Sequence, residues 1–306
     1  MENKNKLIFE LLFWGKINPD KIILKKIPSL LKRNKKSEKF IKNKWKKQIA
    51  SGLKIRSNDT RPSRYHLGGL KITEKSVEIL ASPEISYRDI IGSRSDKFRK
   101  LFKKEYWPIP VSVDMILIAK NKKGEKMLGV TLRNANQDYK AGGLHMTTGG
   151  AMEIGKDKNP IDAALRETKE ETGIKPKELS NIFCRKIIFN PCQSEIGIMF
   201  TATAKIPIEK ILSRRHDNEN KILFIPFKKE TLEYWLLKFT HANSIDGIVG
   251  ALTIGEDFYG RKWAENIFAK ILKKSKGCKN PKKRQELEKA DIKKLKKWLN
   301  KNTADK

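Results

Sequence analysis

Three carboxylates stand at helical spacing near the middle of the chain. Glu167, Glu170 and Glu171 occupy positions i, i+3 and i+4, which places all three on one face of a helix. Like charges at this spacing repel one another, so they indicate either a solvated helix face or a cation site. Carboxylate oxygens in this number suit Mg²⁺, with Mn²⁺ as an alternative. The neighbouring Arg166 can bond a carboxylate and orient it.

A helix that begins near residue 160 must position these side chains. Asn159 is a typical N-cap residue, and Pro160 suits the first helical position. Gly173 marks the predicted end of the helix. Upstream, Gly149 and Gly150 allow the backbone to approach a metal ion and a phosphate group closely.

The segments around this helix have the pattern of a mixed α/β domain over residues 109–272. Apolar runs predict strands, and longer periodic segments predict helices. Strands are predicted at 111–119, 127–132, 144–148, 185–189, 196–204 and 222–227, and further helices at 229–238 and 263–271. Strands mixed with helices around a glycine-rich loop predict an α/β sandwich.

Two basic extensions flank that domain. Residues 1–60 hold 17 basic and 5 acidic side chains, and residues 273–306 hold 14 and 4. Residues 61–108 are predicted as a lead-in segment, with strands at 70–72 and 76–80. Apolar residues at helical spacing predict short amphipathic helices in the first extension and one more in the second, so both are basic helical extensions. These residues are Ile23, Leu24, Ile27, Leu30 and Leu31 in the first, and Leu287, Ile292, Leu295, Trp298 and Leu299 in the second.

The whole chain is strongly basic, with 67 Lys and Arg against 35 Asp and Glu and a formal net charge of +32. A surface of this sign concentrates anionic ligands or nucleic acid. Lysine outnumbers arginine and accompanies abundant asparagine and isoleucine, so an AT-rich coding sequence is the other explanation. Both explanations stay open at this point.

Cysteine usage and hydropathy predict a cytoplasmic protein without a membrane partner. Cys184, Cys192 and Cys278 are odd in number and form no CxxC pair, which indicates neither a disulfide framework nor a structural zinc site. The four histidines are too dispersed for a zinc site. The apolar stretch at 7–14 is interrupted by Glu10 and is too short to span a membrane.

Residues 149–174, GGAMEIGKDKNPIDAALRETKEETGI, resemble the box that defines the Nudix hydrolases, G-x5-E-x7-R-E-U-x-E-E-x-G-U, where U is a bulky aliphatic residue. Residues 166–174 match the second half at every fixed position except one, where Thr168 replaces the aliphatic residue. If Gly150 is the first box glycine, Lys156 replaces the usual glutamate. The loop is then two residues longer, a change that a loop accommodates easily.

The resemblance implies a Nudix-type α/β/α sandwich with a mixed sheet. It also implies that Glu167, Glu170 and Glu171 ligate Mg²⁺ together with the Gly149 carbonyl. The reaction is then attack of water on a phosphorus of a diphosphate linkage in a nucleoside diphosphate derivative. A divalent ion supports this chemistry by neutralising the diphosphate and lowering the pKa of bound water.

The general base varies within that family, so several residues remain candidates. Glu219 is the first candidate outside the box and Glu195 the second, beside the box glutamates themselves. Arg133 and Tyr139 are candidates for contacts with phosphate or a base.

Two other functions fit the same residues. The first is a pyrophosphohydrolase acting on RNA ends, with the basic termini holding the RNA backbone. The second is a non-catalytic module that keeps the fold and binds RNA or protein.

Overall fold

The structure is a computed structural model that describes residues 9–52, 59–134, 142–191, 193–214, 220–276 and 281–303, without the side chains of 220, 276 and 281–284. In these residues the chain forms eleven strands, nine α-helices and three 3-10 helices of three residues each. The strands are β1 Glu10–Ile17, β2 Ile22–Lys26, β3 Arg64–Ile72, β4 Val77–Ile85, β5 Val111–Lys120, β6 Lys126–Arg133, β7 Leu144–His145, β8 Thr148–Ala151, β9 Leu179–Asn190, β10 Glu195–Ala204 and β11 Asn220–Pro226. The helices are α1 Lys35–Ala50, α2 Tyr87–Ser93, α3 Asp96–Leu101, α4 Pro160–Thr172, α5 Ile208–Leu212, α6 Lys229–Lys238, α7 Ile245–Tyr259, α8 Arg261–Lys276 and α9 Pro281–Asn302.

The main sheet is mixed and has the strand order β1-β9-β10-β5-β6-β11. β5 and β10 run parallel, whereas the other neighbours in this order are antiparallel. β7 pairs with β6, and β8 pairs with β5. β5 and β10 are buried along most of their length, which explains why both appear in the sequence as nearly continuous apolar runs.

β5 shows how the two faces of the main sheet are covered. Val113, Met115 and Leu117 join a cluster that includes residues of α4 and of β2 to β4. Ile116 and Ile118 point to the other face and join a cluster with residues of α6, α7, α8 and α9. The sheet is therefore enclosed between layers, which confirms the predicted α/β/α sandwich with a mixed sheet and helical flanks.

The N-terminal extension differs from the predicted short amphipathic helices, because Ile27, Leu30 and Leu31 lie in no helix or strand and the residues before them form strands. Residues 22–26, predicted as part of a helix, form β2, which runs parallel to β4 in a second sheet of order β2-β4-β3. Ile22 is 1% exposed and Ile23 is 38% exposed, so the burial alternates as in a strand. Backbone hydrogen bonds to β4 therefore determine the structure of this segment, even though its apolar side chains have helical spacing. The helix of this extension is α1, whose N-cap is Asn34.

The first extension also contributes to the main sheet itself. β1 lies against β9, with Glu10 opposite Phe189 and Ile17 opposite Cys184. The predicted boundaries at residues 60, 108 and 272 therefore stay proposals about folding units. Among the described residues, no helix has the length and apolar character that crossing a membrane requires.

Residues 64–108 should unfold together with the main sheet. Tyr65 of β3 is 1% exposed and belongs to the same core cluster as Val113 of β5 and Ala163 of α4. We expect Tyr65→Ala to lower the free energy of unfolding by about 3–5 kcal/mol in a single transition. Ile72→Ala is the control on the same strand, since Ile72 is 42% exposed. Denaturant unfolding followed by circular dichroism and by fluorescence would contradict this if two transitions appeared and Tyr65→Ala shifted only one.

Candidate functional site

The site is built on a two-glycine strand. β8 pairs with β5 so that Asp114 lies opposite Gly149 and Val113 lies opposite Gly150. A Cβ on Gly149 would overlap the carboxylate of Asp114, and a Cβ on Gly150 would overlap the carboxylate of Glu167. Successive strand positions point to opposite faces. The two glycines therefore let two carboxylates approach one strand, one from each face.

α4 delivers its acidic face to this strand and begins and ends where the sequence predicts. Asp162 accepts a hydrogen bond from the Asn159 amide at 2.9 Å, and Gly173 adopts a left-handed φ of 68° at the C-cap. Thr168, which departs from the box pattern, is fully buried. Its hydroxyl donates to the Ala164 carbonyl at 2.7 Å and lies 3.0 Å from the hydroxyl of Thr148. A polar residue thus fits this position because β8 offers a polar partner.

A cleft of about 280 Å³ opens beside β8 and α4. Glu167, Glu170 and Glu171 line it together with Gly149 and Glu153, so the predicted ligands converge on one cavity. The amide of Gly149 donates to the Glu171 carboxylate at 3.2 Å. Within the described residues, no group of three or more aspartate, glutamate, histidine or cysteine side chains is arranged to hold a metal ion.

Arg166 joins the carboxylates of this region, as predicted. Its Nη1 donates to Glu167 at 2.7 Å and to Glu170 at 3.3 Å. Its Nε and Nη2 donate to both oxygens of Asp157, at 3.0 and 2.8 Å. Asp157 was not among the predicted site residues. Its side chain is buried, with only 1% exposed.

Asp157 supplies the negative charge of the box glutamate that Lys156 replaces. Lys156 points outward and pairs with Glu153 at 2.8 Å, whereas the next residue turns inward to Arg166. The longer loop places the buried acid one position later in the chain. The signal for it was present, because Asp157 directly follows the position where the box has a glutamate.

Burial dominates the electrostatics of Glu167. Loss of water raises the pKa of this carboxyl group, and the nearby Arg166 only partly opposes that shift. The charges of Glu170 and Glu153 raise the pKa further. A bound cation would act in the opposite direction, so this part of the cleft favours positive charge.

Asp114 was not predicted and is a buried acid of the cleft, with an exposed fraction of 6%. Burial raises its pKa well above the usual value, and the charges of Asp246, Glu195 and Glu171 add to the shift. The signal in the sequence was a single aspartate within the apolar run of β5. Asp246, near the start of α7, had no comparable signal.

His145 lies beside these buried acids in the same cleft. Its Nδ1 accepts a hydrogen bond from the Met146 amide at 2.7 Å, and its Nε2 lies 3.5 Å from Oδ2 of Asp246. Burial lowers the pKa of His145, against the opposing effect of Asp246. These contacts favour a neutral imidazole whose proton is on Nε2.

The remaining predicted site residues divide into two groups. Glu195 and Arg133 line the cleft, and Glu195 accepts a hydrogen bond from Arg94 at 2.9 Å. Glu219 and Tyr139 lie outside the described residues. Of the two general-base candidates outside the box, Glu195 is thus the one whose position the structure describes, and it lies in the cleft.

The space beside Gly150 gives a direct test of the strand arrangement. We expect Gly150→Ala to displace the Glu167 side chain and to lower the free energy of unfolding by about 1–3 kcal/mol. Gly69→Ala is the control within a strand, because a Cβ there would come no closer than 3.7 Å to its surroundings. Equal unfolding free energies for the two variants would contradict the close approach of Glu167 to β8.

The ion pair of Asp157 should contribute strongly to stability. We expect Asp157→Asn to lower the free energy of unfolding by about 3 kcal/mol, the lower end for a broken buried pair, because Arg166 keeps Glu167. Lys156→Gln is the adjacent control, and its exposed side chain should contribute less than about 1 kcal/mol. Urea unfolding of both variants measures the difference. A larger loss in Lys156→Gln would show that the assignment of the two residues is wrong.

Comparison with known proteins identifies the central part of the chain. The family model described as NUDIX domain matches residues 108–230. No curated protein matches the chain. Among solved structures, the chain is similar to an Ap4A hydrolase binary complex from C. elegans, with 16% identity, a TM-score of 0.37, and coverage of 50% of this chain and 99% of that one.

Two further solved structures are similar at the same low level. A NUDIX hydrolase from Alicyclobacillus acidocaldarius has 14% identity and a TM-score of 0.30, covering 57% of this chain and 94% of that one. A bifunctional NMN adenylyltransferase/ADP ribose pyrophosphatase from Francisella tularensis, complexed with AMP and a Mn ion, has 14% identity and a TM-score of 0.33, covering 49% and 42%. The assignment depends on the family model, because these TM-scores are low. Residues 108–230 of this chain match the NUDIX domain family, which agrees with the resemblance of residues 149–174 to the Nudix box.

Proposed function

We propose that the cleft hydrolyses a diphosphate linkage in a nucleoside diphosphate derivative, with Mg²⁺ or alternatively Mn²⁺ as its cofactor. The observation that carries this proposal is the convergence of Glu167, Glu170 and Glu171 on a cleft lined by Gly149 within a NUDIX domain. A phosphoanhydride is an anionic substrate, and the carboxylates alone would repel it. A divalent cation makes the two compatible.

The donors of the cleft suit such a cation by chemical type. Carboxylate and carbonyl oxygens are the ligands that Mg²⁺ and Mn²⁺ prefer. Burial raises the pKa of Glu167 more than Arg166 lowers it, and a cation in the cleft would oppose this shift. Glu167, Glu170, Glu171 and the Gly149 carbonyl are the groups that would hold the ion. When bound, it neutralises the diphosphate, polarises a phosphoryl oxygen and lowers the pKa of a bound water.

The protein's own groups orient the reactants around that site. Arg166 holds Glu167 and Glu170 in place through its hydrogen bonds, while Asp157 fixes the guanidinium from the other side. Arg133 lines the same cleft and supplies positive charge toward a phosphate.

One carboxylate must also take the proton of the attacking water. Glu195 is well placed for this role, because it lies in the cleft and Arg94 holds its Oε2 at 2.9 Å. Glu219 and the box glutamates remain the other candidates for the general base.

The experiment offers purified protein a panel of nucleoside diphosphate derivatives and capped RNA with Mg²⁺, and measures release of phosphate or nucleotide. We expect metal-dependent release from at least one small nucleotide. A Glu170→Gln, Glu171→Gln double variant should lose about 100-fold or more in kcat, because it loses two of the groups that would hold the cation proposed to stabilise the charged transition state. Its unfolding free energy should stay close to that of the parent protein.

A matched double variant, Glu230→Gln and Glu265→Gln, changes two glutamates that do not line the cleft and should keep full activity. Glu195→Gln should lower kcat by about 100-fold if Glu195 is the general base. Release from capped RNA alone would favour the RNA-end hydrolase. No release from any substrate by the parent protein would refute hydrolysis and leave the non-catalytic binding module.

A further inference from the structure

The segment that precedes the family domain supplies part of the cleft. Arg64, Tyr87, Ile90 and Arg94 all line the cavity, and all come before residue 108. We propose that Tyr87 forms the subsite for the nucleobase of the substrate, with its ring stacked on the base. This proposal rests on the proposed function in one respect only, namely that the ligand of the cleft is a nucleotide.

The chemistry of the lining favours an aromatic ligand at this point. Among the described residues that line the cleft, Tyr87 is the only tyrosine, phenylalanine or tryptophan. Stacking on such a ring binds any base through its flat face. The carboxylates of α4 lie in the same cavity as this ring. One cleft thus combines a surface for a planar base with the groups proposed to act on a diphosphate.

The ring of Tyr87 is held in a defined orientation. Tyr87 is the first residue of α2, directly after the N-cap Ser86. The Ser86 hydroxyl accepts a hydrogen bond from the Asp89 amide at 3.1 Å, and Asp89 accepts one from the Ser86 amide at 2.9 Å. The indole of Trp45 on α1 meets the Tyr87 ring edge-on, with centroids 6.1 Å apart and planes at 90°.

α1 supports α2 along its length. Gly92 lets the two helices meet closely, because a Cβ there would lie 2.6 Å from Cγ2 and 2.7 Å from the carbonyl oxygen of Ile41. Arg33, just before α1, donates to Asp89 at 3.1 Å. This basic helix of the N-terminal extension therefore has a structural role, which is to fix the helix that carries Tyr87.

Two arginines of the segment before residue 108 form ion pairs with glutamates of the family domain. Arg64 pairs with Glu153 at 3.2 Å, and Arg94 pairs with Glu195 at 2.9 Å. All four side chains are less than one-fifth exposed. Glu153 and Glu195 themselves line the cleft. The two ion pairs therefore fix the segment that carries Tyr87 relative to the acidic side of the cleft.

The test is calorimetric binding to the full chain with Mg²⁺. The ligands are AMP, GMP, CMP, UMP and ribose 5-phosphate, which lack a diphosphate linkage and are not turned over. We expect at least one nucleoside monophosphate to bind more tightly than ribose 5-phosphate. Tyr87→Ala should weaken that nucleotide about 10-fold or more and leave ribose 5-phosphate unchanged. Tyr87→Phe, which keeps the ring, should retain the affinity.

Two further variants separate stacking from folding. Tyr87→Leu keeps a bulky apolar side chain beside Trp45 but removes the aromatic face, so it should lose nucleotide affinity as the alanine variant does. Tyr234→Ala is the matched control, because Tyr234 lies on α6, is 48% exposed and does not line the cleft. Unfolding measurements on each variant show that the fold persists.

Three outcomes would overturn the subsite. They are equal loss of nucleotide and ribose 5-phosphate in Tyr87→Leu, unchanged nucleotide binding in that variant, and no preference of the parent protein for any nucleoside monophosphate. Normal hydrolysis with any of these results refutes the subsite alone. Tyr87-dependent nucleotide binding without hydrolysis supports the subsite and refutes the proposed reaction alone.

Discussion

The close approach of two carboxylates to the backbone of β8 is the constraint on which the site depends. Asp114 and Glu167 reach this strand from opposite faces, and only glycine at 149 and 150 leaves space for both. α4 must therefore lie directly on the strand, with Thr168 bonded toward Thr148 in place of an apolar contact. The direction of the α4 acidic face, and with it the position of the cleft, follows from this contact.

The sequence was sufficient to predict the parts of the fold whose signals are local. α4 has its N-cap at Asn159 and its terminal glycine at 173, both where the residue types predict them, and the Asp162 carboxylate closes the N-terminus by accepting from the Asn159 amide. α7 was not predicted, because Ile248, Val249, Ala251 and Leu252 are all buried and its first three turns have no polar face to give a period. β2 was mistaken for a helix because its strand partner lies about 55 residues further along the chain.

Within the site, the predicted residues share a local motif and the missed ones do not. Glu167, Glu170 and Glu171 follow one helix face, so their convergence can be predicted from spacing. Asp114 and Asp246 become neighbours of the site only through the packing of β5 and α7, which a single sequence does not reveal. Asp157 was missed for another reason. Arg166 pairs with whichever acid lies beside its guanidinium group. Because the loop is longer here, that acid is Asp157 and not the residue at the box position.

The pairing of β1 with β9 has a consequence for how the protein is made. Glu10 lies opposite Phe189, so the ribosome has added most of residues 108–230 before the first strand meets its partner. Until then, β1 has an unpaired backbone edge with apolar side chains, the kind of surface that promotes association between chains. Contacts so distant in sequence also slow folding. The lysines around β1 give the waiting segment a positive charge, and that charge opposes self-association during synthesis.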